Sequence, residues 1–234
     1  MNLSTEKLIG IKFSLNKKNI FALLTLLVGI VSYIWVFIFT PIEINQGFVQ
    51  KILYIHVPAI LAAYLALLIL FISSWGYLIM KKEIYDYLNI AFSEIAVIML
   101  LISLVTGAIW GKPTWNTYWT WDARLTITLI TFIYFSAYLL YSKLAGINIK
   151  AKKGAAILAI FGFFAVPLNH LAVNWFNSLH QSTTIFRAKP LIDDELLNPL
   201  LLCSIFYLLL IISLSLFRID LEKQKRNYIK ELIN

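Results

Sequence analysis

Six long apolar stretches constrain what this chain can fold into more than any other feature. They lie at residues 20–40, 55–80, 89–110, 125–142, 154–173 and 196–217. An α-helix needs about 20 mostly apolar residues to cross a bilayer. Lipid cannot pair with a free backbone amide, and the alternation typical of a membrane barrel is absent. We therefore predict an all-α, polytopic membrane protein with six transmembrane helices in a single domain, residues 1–234.

The positive charge is distributed unequally between the two sides of the predicted bundle. Fifteen of the 20 Lys and Arg residues lie in the N-terminal segment, in the turns after the second and fourth spans, and in the C-terminal tail. The remaining five lie in the other connections. This bias predicts that both termini are cytoplasmic, or face the equivalent matrix side. It argues against nucleic-acid binding and suits contact with the lipid membrane.

Several common functional motifs are absent from the sequence. No P-loop occurs, so we do not expect the chain to hydrolyse ATP, and we expect no enzyme activity. The apolar run near the N-terminus is too long for a cleavable signal peptide.

Cys203 is the only cysteine and is expected to be a small buried residue of the last span. Glu94 lies one helical turn inside the third span and is expected to reach water by snorkelling.

The outer connection near residues 110–126 reads WGKPTWNTYWTWDARLT and contains most of the chain's indole rings. It holds Trp110, Trp115, Trp119 and Trp121, with Tyr118 as a fifth ring. An interfacial belt is the ordinary explanation for such rings. A belt usually gives one or two aromatics to each helix end, so we favour a binding platform. Within a helical turn, Trp115 and Trp119 would stack on one face.

All three histidines, His56, His170 and His180, fall on the same predicted side as the tryptophans. A lone interfacial histidine is more often a hydrogen-bonding group than a metal ligand. Two imidazoles beside a shelf of aromatic rings suit haem, whose iron takes axial histidines and whose macrocycle packs on apolar surface. Zinc would not require four tryptophans. The sequence lacks Cys-x-x-Cys-His, so covalent haem attachment is not expected.

Charged residues flank the start of the fourth span. Asp122 is placed to be its N-cap, which is a structural role. Arg124 sits where the helix dipole disfavours a cation, so we expect a partner anion, either Asp122 or a haem propionate. Lys112 is a second candidate for a propionate.

The stretch WGKPTWNTYWTWDARLT resembles the tryptophan-rich WWD motif of the haem-handling membrane proteins of cytochrome c biogenesis. The length of the chain and the contexts YIHVPA and VNWFNSLHQST are similar to the short, six-span haem exporter protein C family. That resemblance implies that His56 and His180 are the two axial ligands and that His170 is not a ligand. Tyr118 and Phe176 stand where the family often has tryptophan.

The resemblance also implies a function and a set of partners. The protein would bind haem b noncovalently at the outer membrane face and deliver it to a membrane-anchored haem chaperone. A small single-span subunit and a two-subunit ABC transporter would accompany it in the bacterial inner membrane, or in the mitochondrial inner membrane. Two alternatives stay open on the residues alone: a haem-b membrane redox protein and a small-molecule transporter.

Overall fold

A computed structural model describes residues 16–146, 148–176, 178–180 and 192–233. These residues form seven α-helices: α1 (Lys17–Ile34), α2 (Leu53–Met80), α3 (Glu83–Trp115), α4 (Ala123–Ala145), α5 (Ile149–Phe163), α6 (Ala165–Trp175) and α7 (Asp194–Ile233). A π-helical turn, Trp35–Phe39, extends α1, and a 3₁₀ turn, Phe48–Ile52, precedes α2.

The prediction of an all-α membrane protein is confirmed. Six helical segments are long and apolar enough to cross a bilayer: Lys17–Phe39, Phe48–Met80, Glu83–Trp115, Ala123–Leu144, Ile149–Trp175 and Asp194–Leu232. The fifth segment contains both α5 and α6. It breaks near Phe164 because Pro167 has no N–H to donate to the carbonyl of Phe163, four residues earlier.

The centre of the bundle is the pair formed by α2 and α3. Ala59, Ala62, Ala63 and Ala66 repeat on one face of α2 at helical spacing and are almost fully buried. Such small side chains allow two helix backbones to approach closely where lipid supplies no hydrophobic driving force. Around this pair, α7 packs against α1, α2 and α3, and α4 packs against α3, α5 and α6. Cys203 is buried, as expected.

The helix ends form two distinct faces. We call the face that carries residues 40–52, 110–122, 176 and 178–180 the tryptophan end. The face that carries residues 81–94, 142–146, 148–153 and 218–230 is the basic end. Hydrogen bonds join the three parts of the tryptophan end, and ion pairs join those of the basic end. Residues 1–15 and 234 lie outside the described part of the chain, so the cytoplasmic placement of the termini stays a prediction.

A buried lysine fixes the first loop of the tryptophan end. The ammonium of Lys51 donates to the carbonyl oxygens of Val36, at 2.8 Å, and Thr40, at 2.6 Å. These carbonyls belong to the carboxyl end of the first span, where a cation is favoured by the helix dipole. Lys51 therefore holds the loop over residues 40–47 against that span.

Two helices are longer than hydropathy indicates. α3 continues through Lys112 and Pro113 to Trp115 and ends at Asn116, whose φ of 60° is left-handed, a conformation that asparagine tolerates. The connection at this end is thus residues 116–122 rather than 111–124. α7 continues far beyond residue 217 because its charged residues find partners at the basic end.

Glu94 has protein partners that the sequence did not reveal. Its carboxylate accepts from Arg218 of α7 at 2.5 and 3.2 Å and pairs with Lys143 of α4 at 3.2 Å. The side chain is 19% exposed. Glu94 thus joins three helices at the basic end, and the expected snorkelling to water does not describe its main contacts.

Candidate functional site: two histidines at the tryptophan end

His56 lies in the second turn of α2 and is fixed by α3. Its Nδ1 lies 3.0 Å from the carbonyl oxygen of Ser103 and 3.2 Å from Oγ1 of Thr106. A carbonyl can only accept, so Nδ1 carries the proton and Nε2 carries the lone pair. A metal-binding histidine is commonly oriented by such a bond from its other nitrogen.

The face of α3 beside His56 carries Ser103, Thr106, Gly107 and Trp110 at helical spacing. A Cβ on Gly107 would lie 2.9 Å from Cε1 of His56, so only glycine leaves room for the ring. The Trp110 ring meets His56 edge-on, with centroids 5.9 Å apart, and its Nε1 donates to Gln46 at 2.9 Å. Ser103, Thr106 and Gly107 lie seven, four and three positions before Trp110. This helical spacing is a sequence signal that could have identified them.

His180 contacts the end of α3 and the start of α4. Its ring lies edge-on to Trp115, with centroids 4.9 Å apart. Its Nδ1 lies 3.4 Å from Oδ1 of Asp122, without hydrogen-bond geometry to any residue that the structure describes. The side chain is 23% exposed.

Asp122 is the N-cap of α4, as the sequence predicts, and also anchors the segment that carries His180. Its Oδ1 accepts from the backbone N–H of Arg124 at 2.9 Å, and its Oδ2 accepts from the backbone N–H of Leu179 at 2.8 Å. The second bond spans 57 residues. One carboxylate therefore joins the connection at residues 116–122 to the segment at residues 178–180.

These contacts set the protonation of the outer residues of the site. Burial is the largest single influence on Asp122 and raises its pKa, but bonds from Ser178, Leu179 and Arg124 together lower that pKa below its usual value. Burial foremost, then Arg124, lowers the pKa of His180 below 6.5, while Asp122 partly opposes this. His180 is therefore neutral at pH 7, the form that can ligate a metal.

The two histidines belong to one site. His56 contacts Trp110 and His180 contacts Trp115, and both tryptophans lie in the last turns of α3. The backbone N–H of Arg124 donates to Asp122, which lies 3.4 Å from His180. The expectation that Arg124 pairs with Asp122 holds only for its backbone N–H. Among the described residues no ion pair reaches the Arg124 guanidinium. Lys112 donates instead to the carbonyl of Asn116 at 3.2 Å and lies 5.5 Å from the Tyr118 ring centroid.

The remaining rings of the predicted platform lie closer to the surface. Trp119 does not stack with Trp115, because α3 has ended between them; it meets Trp121 edge-on at 5.7 Å. Trp121 is 77% exposed and, with Phe176 and the start of α4, lines an open recess of about 440 Å³. Tyr118 is exposed. Trp110 and Trp115 thus contact the histidines, and Trp119, Trp121 and Tyr118 lie outside them.

A network of buried polar side chains joins the first turns of α4 to α6 and α2. The Asn169 amide donates to the carbonyl of Arg124 at 3.0 Å and to Oγ1 of Thr128 at 2.8 Å, and it accepts from the Tyr64 hydroxyl at 2.8 Å. Sequence reasoning singled out its neighbour His170, which is exposed, and missed Asn169. A polar residue within an apolar span was the available signal.

Comparison with known proteins places the chain in a family. A family model described as "Heme exporter protein C" matches residues 6–233. The chain belongs to the heme exporter protein C family. A "Heme exporter protein C" from Haemophilus influenzae is 38% identical over 219 residues, which cover 91% of this chain and 89% of that protein. One from Escherichia coli K12 is 33% identical over 91% of this chain and 87% of its own length.

The family extends to a plant sequence. A protein of Marchantia polymorpha named "Putative cytochrome c biosynthesis ccmC-like mitochondrial protein" is 34% identical over 75% of this chain and 74% of its own length. The heme exporter protein C match includes every residue of the site described above, from Gln46 to His180.

Proposed function

We propose that this chain binds haem noncovalently between His56 and His180 and passes it on for c-type cytochrome biogenesis. The observation that carries the proposal is that two imidazoles 124 positions apart in the chain lie against Trp110 and Trp115 in the last turns of α3. The Nδ1 of His56 is bonded to the carbonyl of Ser103, which leaves its Nε2 as the ligating atom, and His180 offers a second imidazole that is neutral at pH 7. Two imidazoles are a common axial ligand set for haem iron.

The surroundings of the histidines suit the rest of a haem molecule. Trp110 and Trp115 supply apolar rings beside the two ligands. Arg124, two residues after the Asp122 that lies against His180, supplies a cation suited to a propionate, which a guanidinium binds through two parallel hydrogen bonds. The chain's own part in the chemistry is to hold neutral imidazoles and to orient the porphyrin.

Release to a partner is supported by the exposure of the outer rings. Trp121, Trp175, Phe176 and Leu179 are each more than half exposed around the site. We propose that a membrane-anchored haem chaperone approaches here, and that a single-span subunit and a two-subunit ABC transporter complete the assembly. We propose no enzyme activity for the chain. We propose that it lies in a bacterial inner membrane or in a mitochondrial inner membrane.

Titration of the purified, haem-free chain with hemin tests this proposal. We expect one hemin per chain, with a low-spin absorbance spectrum, and about 10- to 100-fold weaker binding in His56→Ala and in His180→Ala. His170→Ala is the matched control, because His170 is exposed and outside the site. Hemin binding of wild-type strength in both His56→Ala and His180→Ala would overturn the ligand assignment.

A further inference from the structure

A cleft of about 230 Å³ lies at the basic end between α3, α4 and α7, at the opposite end of the bundle from the histidines. Four cations line it, Lys143, Arg218, Lys225 and Arg226, together with one acid, Glu222. The proposed function makes no use of this cleft.

The ion pairs around the cleft leave positive charge unmatched. The connected network holds three acids, Asp86, Glu94 and Glu222. Lys143, Lys152, Arg218 and Arg226 pair with them, and Lys225 influences Glu222 without a described ion pair. Five cations therefore face three acids.

The two lysines that line the cleft are its more exposed cations. Both arginines are held by carboxylates, Arg218 by Glu94 and Arg226 by Glu222 and Asp86. The side chain of Lys143 is 56% exposed, and Lys225 is exposed as well. An anion entering the cleft would meet two exposed ammonium groups and two guanidinium groups that carboxylates hold in place.

The cleft lies at the level of the bilayer that lipid headgroups occupy. α4 rises 20 residues from Ala123 to Lys143, about 30 Å at 1.5 Å per residue, which is the thickness of the hydrocarbon core. Lys143 thus lies one core thickness from the tryptophan end. Anionic headgroups occupy this level of a bilayer.

An exposed apolar face of α3 leads away from the cleft. At its basic end, Glu94 of α3 pairs with Lys143 of α4 and Arg218 of α7. Ile98, Leu101, Val105 and Ile109 are each about half exposed and share one face of α3 with Glu94, at intervals of three or four residues. A charged cleft at one end of an apolar strip matches the two parts of a phospholipid.

We propose that the cleft binds the phosphate of an anionic phospholipid whose acyl chains lie along this face of α3. Lysine and arginine are the residues that bind phosphate, and basic pockets between transmembrane helices are known lipid-headgroup sites. Inorganic phosphate shares the headgroup chemistry, but it would leave the apolar strip without a role.

Native mass spectrometry of the full chain in detergent tests the proposal. Phosphatidylglycerol and phosphatidylcholine with identical acyl chains are the two probes. We expect the wild-type chain to retain phosphatidylglycerol preferentially, and the double variant Lys143→Ala/Lys225→Ala to bind it about tenfold more weakly, since each basic residue contributes to anionic-lipid affinity. Hemin binding should be unchanged in this variant.

The matched control is Lys150→Ala/Lys153→Ala, which removes the same charge from exposed lysines of α5 at the same end but outside the cleft. We expect this control to bind phosphatidylglycerol like the wild type. Equal weakening in both double variants would show a diffuse surface effect and overturn the site. Displacement of phosphatidylglycerol by an equal concentration of inorganic phosphate would overturn the assignment to a lipid.

Discussion

The Asp122 carboxylate carries more of the site's architecture than any other side chain at the tryptophan end. It begins α4, fixes the segment before His180 and lies against the His180 ring. The same side chain opposes the effect of Arg124 on the pKa of His180. The protonation of His180, one of the two proposed ligands, therefore depends on Asp122 and Arg124. Both belong to the stretch that resembles the WWD motif, so this stretch has a role besides ring stacking.

Changing Gly107 should disturb His56 without disturbing the bundle. The Gly107→Ala methyl group would come within 2.9 Å of the imidazole, and the ring must move away. We expect hemin binding to weaken about tenfold or more, as for residues that orient a metal ligand. The control is Gly29→Ala, whose methyl group would crowd Phe206 at 2.5 Å, far from the site. Hemin titration measures both; equal affinities in the two variants would contradict the proposed packing.

Arg124 should set the pH at which haem is released. Burial is the main cause of the lowered pKa of His180 and Arg124 is the second, so Arg124→Gln should raise that pKa part of the way towards 6.5. Since a protonated imidazole cannot ligate iron, wild-type ligation should persist at pH 6.5 and weaken only at a lower pH. The variant should lose its low-spin absorbance at a higher pH, in a titration over about pH 5 to 8. Lys112→Gln is the control and should keep the wild-type midpoint; a midpoint in Arg124→Gln at or below the wild-type value would refute this assignment.

At the scale of elements, Asn169 connects three helices beneath the site. Its amide joins α6 to α4, and the Tyr64 hydroxyl joins it to α2. A buried amide that loses a partner retains the cost of desolvation. The relative positions of the helices that lead to His56 and His180 therefore depend on a side chain that contacts neither histidine.

A double-mutant cycle measures this connection. Tyr64→Phe and Asn169→Ala should be non-additive, with a coupling of about 0.5–3 kcal/mol in the free energy of unfolding, because the two side chains share a hydrogen bond. The control cycle pairs Tyr64→Phe with Thr131→Val, whose hydroxyl bonds only within α4, and should be additive. Additivity in both cycles, from unfolding in detergent, would show that the bond carries no coupling.

Hydropathy predicts the spans well and their ends poorly. The six apolar stretches each correspond to a spanning segment, because the bilayer core fixes the length that must be apolar. The apolar stretches predict that α3 ends near residue 110 and that α7 ends near residue 217. The real ends depend on the left-handed Asn116 and on ion pairs of Arg218 and Arg226, which composition does not reveal.

At the scale of the whole molecule, buried ion pairs join the helices at the basic end. Asp86 is 5% exposed and pairs with Lys152 of α5 at 2.9 Å and with Arg226 of α7 at 2.5 Å. These residues come from three helices that are distant in the sequence. The arrangement makes Asp86 the anchor of the basic end, as Asp122 is of the tryptophan end.

Removing the charge of Asp86 should destabilise the fold strongly. Asp86→Asn leaves buried Lys152 without its anion and Arg226 with Glu222 alone, which costs about 3–5 kcal/mol of unfolding free energy. Glu83→Gln is the control: it breaks an exposed pair with Lys230, which is worth about 0–1 kcal/mol. Thermal unfolding of both variants in detergent compares them. A loss in Asp86→Asn no larger than in Glu83→Gln would show that the buried network does not stabilise the bundle.

The site itself could be predicted only in part. Residue type and topology brought His56, His180, Trp110 and Trp115 to one end of the bundle. The sequence could not show that Trp119 contacts Trp121 rather than Trp115, or that Asp122 bonds the segment at residues 178–180, since these depend on where α3 ends and on the path of that segment. Irregular segments have no repeating pattern of apolar residues, so their position in the fold cannot be predicted from the sequence.

The central claim is that His56 and His180 bind one iron atom together. Electron paramagnetic resonance of the ferric, hemin-loaded chain tests it most directly. We expect a six-coordinate low-spin signal in the wild type, a high-spin signal in His56→Gly and in His180→Gly, and a return to low spin when imidazole is added to either variant. A low-spin signal that persists in one of the two variants without added imidazole would contradict the claim.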